Sequence, residues 1–104
     1  MRWVFLTVLI GILSLGGISQ NALAGAKEGR ELAREWCQTC HVTEDKASGV
    51  DVAPPWVSIA NDPTKTDEIL RAWLAMPQGQ MEHITLTRQQ INDVLAYIHT
   101  LRKS

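Results

Sequence analysis

The chain has only two cysteines, one tyrosine, one phenylalanine and four prolines in 104 residues, and beyond its first 24 positions it has no long apolar run. Two cysteines three positions apart cannot build a disulfide framework, because a bridge between them would close a tiny loop and constrain little of the chain. An excess of either charge is missing too: 10 Lys and Arg stand against 11 Asp and Glu, a formal net charge of −1. That balance, with no basic run, argues against a nucleic-acid partner and against a strongly basic docking face. Strand alternation, internal repeats and low-complexity segments are absent after residue 24, so the expected fold class is all-α. A helical domain of about 80 residues is small enough to need a staple besides its side chains.

What is present begins with a leader. Met1-Arg2 supplies one basic residue, and the chain then runs uncharged from Trp3 to Ala26. Gly16-Gly17 ends the apolar stretch, and Ala22-Leu23-Ala24 places small residues where a signal peptidase inspects them. The reading is a signal peptide over residues 1–24 and a single domain over residues 25–104, exported to the periplasm. The alternative is an uncleaved anchor, since Trp3 to Ile18 approaches the ~20 apolar residues that span a bilayer. The protein would touch a membrane only if the leader were retained.

Cys37-Gln38-Thr39-Cys40-His41 places two thiols one helical turn apart with an imidazole directly after the second. This is the spacing of c-type haem attachment: each thiol adds to one vinyl group on the same haem edge, and the next residue brings a ring nitrogen to the iron. A haem also answers the shortage of core, because a large apolar disc gives the helices a surface to pack on. Cys-x-x-Cys preceded by Trp36 also fits a thiol-disulfide oxidoreductase, but such sites sit at strand-to-helix junctions, and this chain offers no strands. Zinc fits worse, since His83 and His99 lie sixteen apart and no second cysteine pair exists.

Helix formers from Ala26 to Trp36 predict one helix running into this motif, with Glu31 and Glu35 set to pair with neighbouring arginines. Gly29 within it suggests a close helix crossing, or else a poorly formed first turn. Residues 42–53 read as a loop, and Trp56 to Ala60 as a short apolar turn behind Pro54-Pro55. Asn61-Asp62-Pro63 has turn chemistry and could also cap the next helix. That helix, from Thr66 to Ala75, would place Ile69, Leu70, Trp73 and Leu74 on one face. An irregular loop follows from Met76 to Leu86, and Thr87-x-x-Gln90 has the capping-box pattern ahead of Ile91, Val94, Leu95, Ile98 and Leu101.

With His41 as the proximal ligand, the opposite face of the iron needs a donor from downstream, and Met76, Met81 and His83 are the candidates. Met76 extends the Ile69, Leu70, Trp73 face, which suits burial. Met81 lies among the Pro and Gly residues, where the backbone can aim a thioether, and is favoured. An open sixth position would instead suit a gas-binding haem sensor or a haem enzyme.

On Gly29-Arg30-x-Leu32-Ala33, Cys37 to His41, Ala53-Pro54-Pro55-Trp56, Trp73 to Met81 and Ala96-Tyr97-Ile98-x-x-Leu101, the chain resembles the class I c-type cytochromes over nearly all of residues 25–104. The resemblance implies a helical domain wrapped around one covalent haem c, attached through Cys37 and Cys40, with iron held by His41 and Met81. It implies no enzyme but an electron carrier, working with redox partner proteins of a respiratory or dehydrogenase chain. It further implies that Pro54, or else Pro55, accepts a hydrogen bond from His41, that Gly29 and Tyr97 lie where the terminal helices cross, and that Trp56 packs on the haem. Glu82 is a departure, because the family often has proline directly after the ligand methionine. The exported protein is expected to begin at Gly25; N-terminal sequencing that reads Met1 would contradict cleavage.

Overall fold

The computed structural model describes residues 18–45 and 52–103, with side chains from residue 25 onward. The leader reading over residues 1–24 falls on residues or side chains outside that description, as does the middle of the 42–53 loop. Helix α1 spans Ile18–Trp36, α2 Trp56–Ala60, α3 Asp67–Ala75 and α4 Arg88–Thr100, with one 3-10 turn over Gly79–Met81. Among the described residues there is no strand, so the chain is all-α. No described helix is long and apolar enough to cross a membrane.

Helix α4 is the centre of the fold, and α1, α2 and α3 all pack against it. Its start is fixed by the capping box. Thr87 Oγ1 accepts from Gln90 N at 3.1 Å, and Gln90 Oε1 accepts from Thr87 N at 2.8 Å, which together satisfy two donors that a helix end leaves without partners. Ile91, Val94, Leu95 and Ile98 then recur at helical spacing and are buried, with Tyr97 and Leu101 beside them. Ala33 from α1, Trp56 and Ala60 from α2, and Leu70 and Leu74 from α3 complete one core.

Helix α1 begins at Ile18, upstream of the point where its composition turns helix-rich. It meets α4 backbone to backbone. A Cβ on Gly29 would collide with the carbonyl of Asp93 and lie 2.9 Å from Val94 N, so glycine is the only residue that lets the helices cross at this separation. The close crossing is therefore the reason for Gly29, and a frayed first turn is not. Tyr97 lies one turn further along the same helix.

Three local expectations give way to different geometry. Thr66, and not the Asn61-Asp62-Pro63 turn, caps α3, its Oγ1 accepting from Ile69 N at 3.3 Å. Asp62 instead accepts from Thr64 N at 2.9 Å and Thr64 Oγ1 at 2.7 Å, closing a turn on itself. Along α3 only Leu70 and Leu74 reach the core, while Ile69 and Trp73 remain 49% and 48% exposed. A short helix offers α4 only a narrow stripe, and those two side chains fall beside it. The arginines of α1 also turn away from Glu31 and Glu35: Arg30 and Arg34 both pair with Glu44.

Gly29→Ala is expected to destabilise the domain by about 1–3 kcal/mol through overpacking. Gly25→Ala, where the nearest obstacle is the end of the Asp93 side chain at 3.3 Å, should stay within about 1 kcal/mol of the parent. Denaturant melts of the two variants measure the contrast, and equal losses would contradict the crossing as the cause.

Candidate functional site

The Cys37–His41 segment continues the winding of α1 for one further turn. Ala33 O accepts from Cys37 N at 2.9 Å and Gln38 N at 3.0 Å, and Cys37 O accepts from Cys40 N at 3.2 Å and His41 N at 2.9 Å. Both thiols are free and half-buried on this turn. Residues 53–56 return alongside it, with Ala53 N donating to Cys40 O at 3.0 Å and Trp56 N to Val42 O at 2.9 Å. Proline rigidity suits such a return, since Pro54-Pro55 keeps the chain extended until α2 begins.

This return brings the Pro54 carbonyl to 2.7 Å from His41 Nδ1. A carbonyl only accepts, so Nδ1 carries a proton and Nε2 is the nitrogen that can offer a lone pair to a metal. Pro55 lies one residue further on, as the cap of α2. Trp56, 6% exposed, sets its ring edge-on to His41 at 6.1 Å and 65°, and tilts against Tyr97 at 6.0 Å and 45°. The contacts of Trp56 in this structure are thus with the imidazole and the tyrosine.

On the downstream side, the 3-10 turn Gly79–Met81 opens at Gly79 with φ 64°, a left-handed conformation that glycine adopts at no steric cost. Met81 is half-buried and packs against the core. Met76 does not: it is 75% exposed, against the burial its spacing suggested. The backbone leaves helical geometry at this residue, with φ −135° and ψ 69°, so the periodicity of α3 no longer applies to it. His83 is exposed and, with Trp36, Ile84 and Thr85, lines a 370 Å³ recess between the end of α1 and the Met81 loop.

Burial pushes the Cys37 thiol up to about 11, so it is protonated at neutral pH. Redox-active thiols have depressed values and sit near helix N-termini; Cys37 follows a helix C-terminus, whose partial negative charge disfavours a thiolate. The donor set fits haem attachment instead. Two unpaired thiols share one turn, an imidazole beside them has its Nδ1 occupied by Pro54 O, and Trp36, Ile69 and Trp73 expose apolar surface that this small core leaves uncovered.

Residues 24–98 match the family described as cytochrome c oxidase, cbb3-type, subunit III. A relative named cytochrome c-552, from Bradyrhizobium diazoefficiens, is 36% identical over 96 residues, which cover 88% of this chain and 89% of that protein. The chain belongs to the cytochrome c family. No solved structure matches it. In a c-type cytochrome, the single pair Cys37 and Cys40 implies one covalently attached haem c, and the family consists typically of electron carriers.

Some contacts around the site had no local signal in the sequence. Tyr97 Oη donates to Thr43 O at 2.5 Å across 54 positions, and Glu44 receives Arg30 and Arg34 from across the motif. These are meetings between distant segments, invisible to spacing rules until the Gly29 crossing is known. Acid-acetone extraction should leave the colour with the protein. Cys37→Ala and Cys40→Ala should each leave at most one thioether, which the haemochrome spectrum reads; colour lost from the parent would contradict covalent attachment.

Proposed function

We propose that this protein is a periplasmic monohaem cytochrome that carries single electrons between redox proteins, with His41 and Met81 as the axial ligands of its iron. The observation that carries this reading is the 2.7 Å contact between His41 Nδ1 and Pro54 O on the turn that also bears both cysteines. Haem, when bound, supplies a one-electron ferrous-ferric couple. Everything else falls to the chain. The Pro54 carbonyl fixes the imidazole tautomer and makes Nε2 a better donor, and Trp56 walls the ring so that it cannot swing. Met81 offers a thioether, which favours the ferrous form relative to a second histidine. Trp56 is buried and Met81 half-buried against the core, and an apolar surrounding raises the potential in the same direction. Glu82 opposes it with a negative charge next to the thioether donor.

In this reading residues 1–24 direct export and residues 25–104 form the working domain. Partners would belong to a respiratory or dehydrogenase chain and would dock near Cys37 and Cys40, where the exposed Trp36 ring gives apolar contact at small cost. A membrane partner is part of the proposal only if the leader stays attached.

Ligation is read directly from the ferric near-infrared spectrum. A methionine-to-iron charge-transfer band is expected in the parent and in Met76→Ala, and should vanish in Met81→Ala. A high-spin ferric spectrum in the parent would favour an open sixth position, and with it a gas-binding sensor or a haem enzyme over the electron carrier.

A further inference from the structure

The segment that follows His41 is gripped from two other elements. Glu44, three residues on, accepts from Arg30 Nε at 3.1 and 3.2 Å and from Arg34 Nε at 3.0 Å, both on α1. Its Oε2 also lies 3.4 Å from the Tyr97 hydroxyl of α4. That hydroxyl donates to the carbonyl of Thr43, one residue before Glu44, and the Tyr97 ring leans on Trp56, which in turn stands against His41. One carboxylate, two guanidiniums and one phenol thus form a cluster that joins α1, α4 and the histidine segment.

Stability alone does not account for this cluster. Arg30 and Arg34 are 48% and 54% exposed at their side chains, and exposed pairs of this kind add little to folding. Its charges are a different matter. Three residues of fully extended chain reach at most about 11 Å, so the Cα atoms of Glu44 and His41 stay within a distance comparable to a screening length. Two positive groups and one negative group at that range leave a net positive charge beside the histidine. A ferric centre carries one more positive charge than a ferrous one, so each guanidinium favours the reduced form and the carboxylate favours the oxidised form.

We propose that Glu44 is a positioning and charge-compensating residue for the redox centre, holding the His41 segment to α1 and α4 while offsetting part of the field of Arg30 and Arg34. This rests on the electron-carrier reading above. Two consequences separate the role from simple bracing. Removing the carboxylate should raise the reduction potential and removing the guanidiniums should lower it, whereas a loosened site would shift both variants the same way. Both shifts should also shrink as salt rises, because the charges lie near solvent.

The experiment is a potentiometric titration of the holoprotein, of Glu44→Gln and of the double variant Arg30→Gln/Arg34→Gln, at low and high ionic strength, with the thermal midpoint of each recorded alongside. The expected result is an upward shift for Glu44→Gln, a downward shift for the double variant, both reduced at high salt, and thermal midpoints within a few degrees of the parent. Shifts of the same sign in both variants, or none in either, would overturn the proposal. A parent with no reversible one-electron couple would overturn the electron-carrier reading beneath it, so the two failures are told apart.

Discussion

The rest of the structure depends on the contact between α1 and α4 at Gly29. No side chain stands between the helices there, so the Asp93 carbonyl occupies the volume that a Cβ would need. The crossing fixes how α1 lies against α4, and the Cys37–His41 turn begins directly where α1 ends at Trp36. It also sets where Tyr97 meets the chain beyond that turn, since Tyr97 lies one helical turn past the crossing on α4. A separation larger by one methyl group would move Thr43 away from the Tyr97 hydroxyl and Glu44 with it. The glycine acts on the site from a distance, through two rigid helices.

His41 is constrained at its ring and on both sides of its backbone by one short segment, residues 53–56. Pro54 O accepts a hydrogen bond from Nδ1, Trp56 stands against the ring, and the backbone on each side is tied, Cys40 O accepting from Ala53 N and Val42 O from Trp56 N. Proline serves well here because its own carbonyl is free while its ring prevents the return strand from slackening. For the proposed one-electron carrier such over-determination is useful: a ligand that stays in place between two oxidation states leaves little to reorganise. Tyr97, with its hydroxyl on Thr43 O and its ring on Trp56, braces the same residues from behind.

Legibility in the sequence followed the range of the interactions. The Thr87 capping box and the apolar spacing of α4 are decided within one or two turns of chain, and they read correctly from spacing alone. Gly29 is legible as an anomaly in a helix that points to a close crossing, and the resemblance to class I cytochromes identifies the terminal helices as the pair that cross. Met76 departs from the burial that its spacing implies because it lies one residue past the end of α3, where the helical period ceases to hold. Arg30 and Arg34 depart from theirs for a different reason. The i,i+4 rule finds partners on the same helix, yet Glu44 outcompetes Glu31 and Glu35 by offering one carboxylate to both arginines. Nothing in the spacing announces Glu44, because its position is set by the path of the chain after His41.

The two proposed axial positions are held very differently, and Glu82 makes sense in that light. On the Met81 side the backbone is a 3-10 turn with long bonds, Met81 N to Gln78 O at 3.3 Å and Glu82 N to Gly79 O at 3.2 Å, followed by a shorter one from Ile84 N to Met81 O at 2.9 Å. The second of these needs an N–H at residue 82. A proline there, as is common after the ligand methionine in the family, would stiffen φ but would have no hydrogen to close the turn. Glu82 keeps the turn closed by hydrogen bonding where the family pattern relies on ring stiffness, and the Gly79 reversal at φ 64° gives that turn its entry. A thioether on three rotatable bonds tolerates such a support better than an imidazole would, because small backbone movements are taken up by side-chain torsions. In the proposed carrier the rigid histidine and the adaptable methionine would divide the work: one side would fix the geometry of the centre, and the other would follow it.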